Sequence, residues 1–115
     1  MAYSEVIAER IRGALAHLPD VKEKKMFGGL AFLVNGKMCL TAGPERMMCR
    51  IDPNIHDGEV TRDGCTTVVM KGREYKGYIY VSEESLKQDD EFKHWIKLAL
   101  DFNEALPSNE KQKIA

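Results

Sequence analysis

The sequence predicts an α+β fold: a mostly antiparallel sheet of about five strands, with N- and C-terminal helices packed on one face. Three observations carry this expectation. Apolar residues recur at helical spacing between Ser4 and Leu18, and again between Asp90 and Leu106. Between these stretches, Asn35-Gly36 separates two short apolar runs. Two helices with apolar stripes need a sheet face on which to bury them.

Each element follows from local chemistry. From Ser4 to Leu18 the stripe is Val6, Ile7, Ile11, Ala14, Leu15 and Leu18, with Glu5, Glu9, Arg10 and Arg12 on the other side. Ser4 is placed to cap the helix and Pro19 to close it, with His17 in the last turn near the negative end of the dipole. Leu30–Val34 and Lys37–Thr41 flank Asn35-Gly36, the preferred type I′ turn, because both central residues must reach positive φ. Both faces of this hairpin are apolar. It therefore belongs in the centre of a sheet, or on a sheet with something packed against each side.

Gly43-Pro44-Glu45-Arg46 reads as a second turn leading to a strand from Met47 to Ile51, its register open by one residue. Ile55 to Gly64 is expected to be irregular or one short helical turn. Thr66–Met70 and Tyr78–Val81 read as strands around a bend bracketed by Gly72 and Gly77. Ser82-Glu83-Glu84 has the form of a capped helix start. The last helix carries Phe92, Trp95, Ile96, Ala99, Phe102 and Leu106 on one stripe, with Asp89 or Asp90 as cap and Pro107 as stop. Residues 1–107 are expected to form one domain, and the polar, aperiodic 108–115 a disordered tail.

Composition narrows the function classes. The 115 residues are 43% hydrophobic and 30% charged, an ordinary soluble balance, and the net charge is −1. Affinity for nucleic acid comes largely from Lys and Arg neutralising phosphates, which a nearly neutral chain supplies only by segregating its charge. Val21 to Arg50 has six bases against two acids, whereas Ser82 to Glu104 has three bases against seven acids. Cys39, Cys49 and Cys65 are odd in number and match no zinc or redox spacing; no secretory leader or membrane-length apolar run accompanies them. A reducing cytoplasm is the expectation.

No catalytic centre emerges. Cys39 and Cys49 fall inside predicted strands, where cysteine serves as a small buried hydrophobe. Cys65 adjoins a loop with His56, Asp57 and Asp63, but a nucleophile needs a base at fixed geometry. Cys49, His56 and Cys65 match no usual zinc signature, and the simpler reading is two core cysteines and a surface histidine. His94 lies off the apolar stripe and reads as solvated. No metal or cofactor is expected. Gly28-Gly29 is no phosphate loop; it reads as a turn or bulge into the sheet, although Lys24, Lys25 and Phe27 beside it suit recognition equally well. Lys71, Arg73 and Lys76 surround Tyr75 near Gly72, the interleaving with which single-stranded nucleic acid is often held. The candidate contact residues are therefore Lys24, Lys25, Phe27, Gly28, Gly29, Lys71, Arg73 and Lys76.

Lys25-Met26-Phe27-Gly28-Gly29, then Leu30-Ala31-Phe32 and the Asn35-Gly36 turn, are similar to the N-terminal module of the TfoX/Sxy family, named for bacterial regulators of competence for DNA uptake. The resemblance continues through Arg50-Ile51-Asp52-Pro53, Gly72-Arg73, Lys76-Gly77-Tyr78, Val81 and the helix from Trp95 to Leu106-Pro107, covering about Tyr3 to Pro107 in order. It implies a bacterial, cytoplasmic α+β domain and brings no active site with it. Two-part members carry a further C-terminal domain; here the expectation is the module alone. The role expected is a small regulatory or adaptor module, not an enzyme, that works through a protein partner as a monomer or homodimer. A nucleic-acid-associated regulator is the first alternative, disfavoured by net charge, and a small-ligand binder or unrecognised enzyme the second.

Overall fold

The computed structural model describes residues 3–26 and 28–106. Phe27, the expected stop at Pro107 and the expected tail lie outside the described residues. Helix α1 (Glu5–Leu15) begins as the sequence predicts, with Ser4 extended and its hydroxyl accepting the Ile7 N–H. It ends three residues before Leu18. His17 thus lies beyond the helix and exposed, not in its last turn.

Six strands follow: β1 (Val21–Met26), β2 (Gly29–Val34), β3 (Lys37–Gly43), β4 (Arg46–Arg50), β5 (Cys65–Met70) and β6 (Arg73–Ser82). They form one antiparallel sheet in the order β1-β2-β3-β4-β6-β5. The strand beyond the five read from sequence is β1, a polar edge strand with four consecutive charged residues and no apolar alternation. A 3-10 turn (Pro53–Ile55) and a short helix α2 (His56–Glu59) link β4 to β5, and α3 (Glu83–Leu86) and α4 (Asp89–Ala105) close the chain.

The local signals explain the connections. Asn35 and Gly36 take φ of 55° and 78°, the type I′ geometry the twist of β2–β3 requires. Leu40 pairs with Cys49 and Ala42 with Met47, which settles the register after Gly43. A bulge at Cys39 leaves that residue without a cross-strand partner and turns it into the core. A Cβ on Gly29 would overlap the Ala42 carbonyl oxygen, so the sheet closes there only over a bare backbone. Gln88, not Asp89 or Asp90, precedes α4 and makes no side-chain cap; the two aspartates sit in the first turn, where the helix dipole favours them.

The core lies between one face of the sheet and the helices. Phe32, Leu40, Met47, Cys49, Ile79 and Val81 meet Ile7, Ile11 and Leu15 of α1 and Phe92, Trp95 and Ala99 of α4. The expected stripe of α4 holds except at its end, where Phe102 is half-buried and Asn103 buried instead. Among the described residues no helix is long and apolar enough to cross a membrane.

The end of α4 is held by a buried lysine. Lys37 is 6% exposed, and its Nζ donates to the carbonyl oxygens of Asn103 and Leu106, each at 2.8 Å. Asn103 Nδ2 donates to the Val34 carbonyl at 3.0 Å. The first bond adds to a carbonyl that also accepts the Leu106 N–H at 3.2 Å, the second reaches the residue just past the helix, and the ammonium faces the negative end of the dipole. Lys37→Met keeps the packed stem but loses both bonds. It should lower unfolding free energy by about 2 kcal/mol in denaturant melts, with fraying confined to the last turn of α4. Unchanged stability would show that the clamp contributes nothing.

Candidate functional site: the open face of the sheet

Alternation along the strands divides the sheet into two faces. The buried side chains of α1, α3 and α4 join the core on one of them; no helix covers the other among the described residues. Register pairs Lys22 with Leu33 and Leu33 with Met38 on the open face. A second row runs Lys24, Ala31, Thr41, Met48, Tyr80 and Thr66, and a third joins Gly43, Arg46 and Ser82. None of these positions is Asp or Glu.

Three of the four tyrosines lie on this face. The Arg46 guanidinium sits 3.6 Å above the centroid of Tyr80, a stacked cation–aromatic pair. Tyr75 meets Tyr78 edge to face at 6.2 Å, and Arg73 lies 5.9 Å from Tyr75. Arg50, at the end of β4, is 5.7 Å from the rings of both Tyr78 and Phe102, and so ties this face to α4.

Charge is sorted between the two sides. Arg10, Arg12, Arg62, Lys87, Lys93 and Lys97, on or beside the helices, all have carboxylate partners. Lys22, Lys24, Lys25, Arg46, Arg50, Lys71 and Arg73, all on the sheet or its turns, have none among the described residues. The face is nearly flat: the depression lined by Thr41, Arg46, Met48 and Tyr80 measures about 30 Å³, room for a water and little more.

The residues singled out from the sequence separate. Lys24 and Arg73 fall on the open face, while Lys25 pairs with Leu30 and has the opposite parity on the edge strand. Gly28, at φ 71°, lies in the β1–β2 turn and Lys71, at φ 53°, in the β5–β6 turn. Gly29 is fixed by its approach to Ala42. Lys76 forms an ion pair with Asp57 of α2. Arg46 and Tyr80 escaped the sequence reading. Their signal was present in the alternations Arg46-Met47-Met48-Cys49-Arg50 and Tyr78-Ile79-Tyr80-Val81, which put one parity inside and the other out.

The chemistry-bearing residues elsewhere are paired or inert. Burial pushes the Cys39 thiol up to about 12 and Cys49 well above the ordinary range. Burial, followed by Glu91, raises Cys65 to about 11, away from a reactive thiolate. An open cleft of about 280 Å³ is lined by Arg62, Asp63, Ser85, Gln88 and Glu91. There Arg62 donates to both Glu91 oxygens, at 2.9 and 2.8 Å, and the Trp95 Nε1–H donates to the same carboxylate. That hydrogen-bonded arginine holds Glu91 down at about 2. His94 is not solvated as expected: it is half-buried, 2.8 Å from Glu59 Oε1 and edge to face with Trp95. Among the described residues no three His, Cys, Asp or Glu side chains are grouped to hold a metal ion.

A family model described as the TfoX N-terminal domain matches residues 13–103, a span that takes in all six strands and most of α4. No curated protein matches the chain.

His56, expected at the surface, is 1% exposed. The Gly77 N–H donates to its Nδ1 and its Nε2 donates to Thr67 Oγ1, both at 2.8 Å, so the ring is neutral. Burial, and then Lys76, lower its pKa from 6.5, against the weaker opposing pull of Asp57 and Glu74. The unfolded chain therefore takes up a proton that the folded chain refuses. The stability this histidine contributes is full above pH 6.5 and is lost as pH falls below it. Denaturant melts across this range should show the decline, and His56→Gln should flatten it. An unchanged slope in the variant would assign the effect to other groups.

Proposed function

The chain belongs to the TfoX N-terminal domain family, and from that premise we propose that it is a small regulatory adaptor, not an enzyme, that holds a protein partner on the open face of its sheet. The observation that carries this reading is the carboxylate-free face, on which Lys22, Lys24, Arg46 and Arg73 stand without acidic partners among the described residues. A flat, cationic surface with tyrosines and arginines has the composition of a macromolecular contact. The raised thiols and mutually paired polar groups of the cleft favour contact over catalysis. The three free thiols fit a reducing cytoplasm.

A nucleic-acid partner is the second reading, favoured by the same cations next to aromatic rings. The two separate by experiment. Tagged protein is used to capture partners from its native cell extract with and without nuclease, alongside Lys24→Glu/Arg46→Glu and a helix-side control, Lys93→Glu/Lys97→Glu. The expected result is a nuclease-resistant protein recovered in near-equal amount, lost with the face variant and kept with the control. Recovery that vanishes with nuclease would transfer the role to nucleic acid. Recovery unaffected by the face variant would remove the open face from the account.

A further inference from the structure

The open face has the layout of a bed for a helix. Leu33 and Met38 lie opposite each other on β2 and β3, both half-buried, and the next row along the same two strands is the small, buried pair Ala31 and Thr41. On one flank stand Lys22 and Lys24 of β1; on the other stands Arg46 of β4. Strands lie about 4.8 Å apart, so the flanks are separated by roughly 14 Å, enough to seat a helix of about 10–12 Å diameter along the apolar lane. Methionine suits such a lane, since its flexible thioether adapts to a partner's shape.

A hairpin apolar on both faces calls for something against each side, and among the described residues helices supply only one. We infer that the missing layer is an acidic amphipathic helix of a protein partner, its apolar stripe on Leu33 and Met38 and its carboxylates reaching Lys22, Lys24 and Arg46. This inference rests on the open face being the contact surface.

Other occupants fit less well. A second copy face to face would oppose like charges across the axis. The acidic helix α4 of a second copy has its apolar stripe buried under its own sheet, so it offers charge without an apolar stripe. Stacked nucleobases need free ring faces. Arg46 already covers one face of Tyr80, and Tyr75 and Tyr78 stand perpendicular to each other, so the rings present no row of parallel faces for successive bases.

The test is a titration of the isotope-labelled full chain, followed by backbone amide shifts. The probe is a synthetic helical peptide of about five turns, roughly 18 residues, with a leucine stripe flanked by glutamates. A scrambled peptide of identical composition and an oligo-dT strand serve as comparisons. The expected result is a set of shifts centred on β2, β3 and β4, with affinity weakened about tenfold or more by scrambling and by Lys24→Glu/Arg46→Glu. Both substituted positions are exposed, so unchanged helix-side amide shifts will report that the variant folds. Lys93→Glu/Lys97→Glu should bind as the parent does.

Equal binding by the scrambled peptide would reduce the effect to bulk charge and overturn the inference. Tighter binding by oligo-dT would replace the helix with nucleic acid, and self-association that hides the face would replace it with a second copy. If the face variant still loses the captured protein while no helical peptide binds, the helix is wrong and the contact surface stands. Failure of both experiments overturns both.

Discussion

A lysine ammonium with almost no access to water fixes the layering of this fold. Burying that charge is tolerable because two carbonyl oxygens at the end of α4 receive it, one of them shared with the Leu106 N–H. The bond is reciprocal: α4 needs a cation at its C-terminal end, and Lys37 needs acceptors. Asn103 adds a second tie to the same hairpin. With its end moored to the turn of β2–β3, α4 crosses β3 and β4 and seats Trp95 and Ala99 on the core. The opposite face keeps no helix of its own among the described residues.

One-sided layering explains the charge arrangement. Around the helices, acids and bases face one another across short gaps, so cations there are neutralised locally. Across the sheet, strand alternation sends Met47, Cys49, Ile79 and Val81 inward and leaves the outward parity to Arg46, Met48, Tyr78 and Tyr80. The arginines lie over tyrosine rings, which shields aromatic surface without using up their hydrogen-bonding edges. A guanidinium held in this way has lost side-chain freedom before any partner arrives, which lowers the entropic cost of binding a carboxylate.

Much of the fold was legible in the sequence because strong local signals coincided with tertiary need. Ser4, Ser82, the Asn35-Gly36 turn and the stripe from Phe92 to Ala99 each settle their element by a short-range rule. The strand β1 was not legible, because an edge strand gains its order from pairing with β2 while its side chains face water. His56 was misread for the opposite reason. It opens the four-residue helix α2, too short to show a periodicity, and only the distant Gly77 and Thr67 supply the bonds that make its burial tolerable. The candidate surface was half legible. The cations near Lys24 and Arg73 stood out as clusters, while Arg46 and Tyr80 become neighbours only through the β4–β6 pairing, across more than thirty residues of chain.

The strand order also governs the sequence of entropic costs met in assembly. From β1 to β4 every neighbour in space is the next strand in the chain, so each pairing closes a turn of a few residues. The β4–β6 pairing must instead loop out the whole of β5. The ties between the two ends, Ser4 to Glu83 and Arg10 to Asp89, enclose 79 positions. Such distant closures are affordable only once the local meander has shortened the effective loop. The four-stranded meander therefore meets the smallest closure costs in the chain, and the β4–β6 pairing and the ties between the two ends meet the largest.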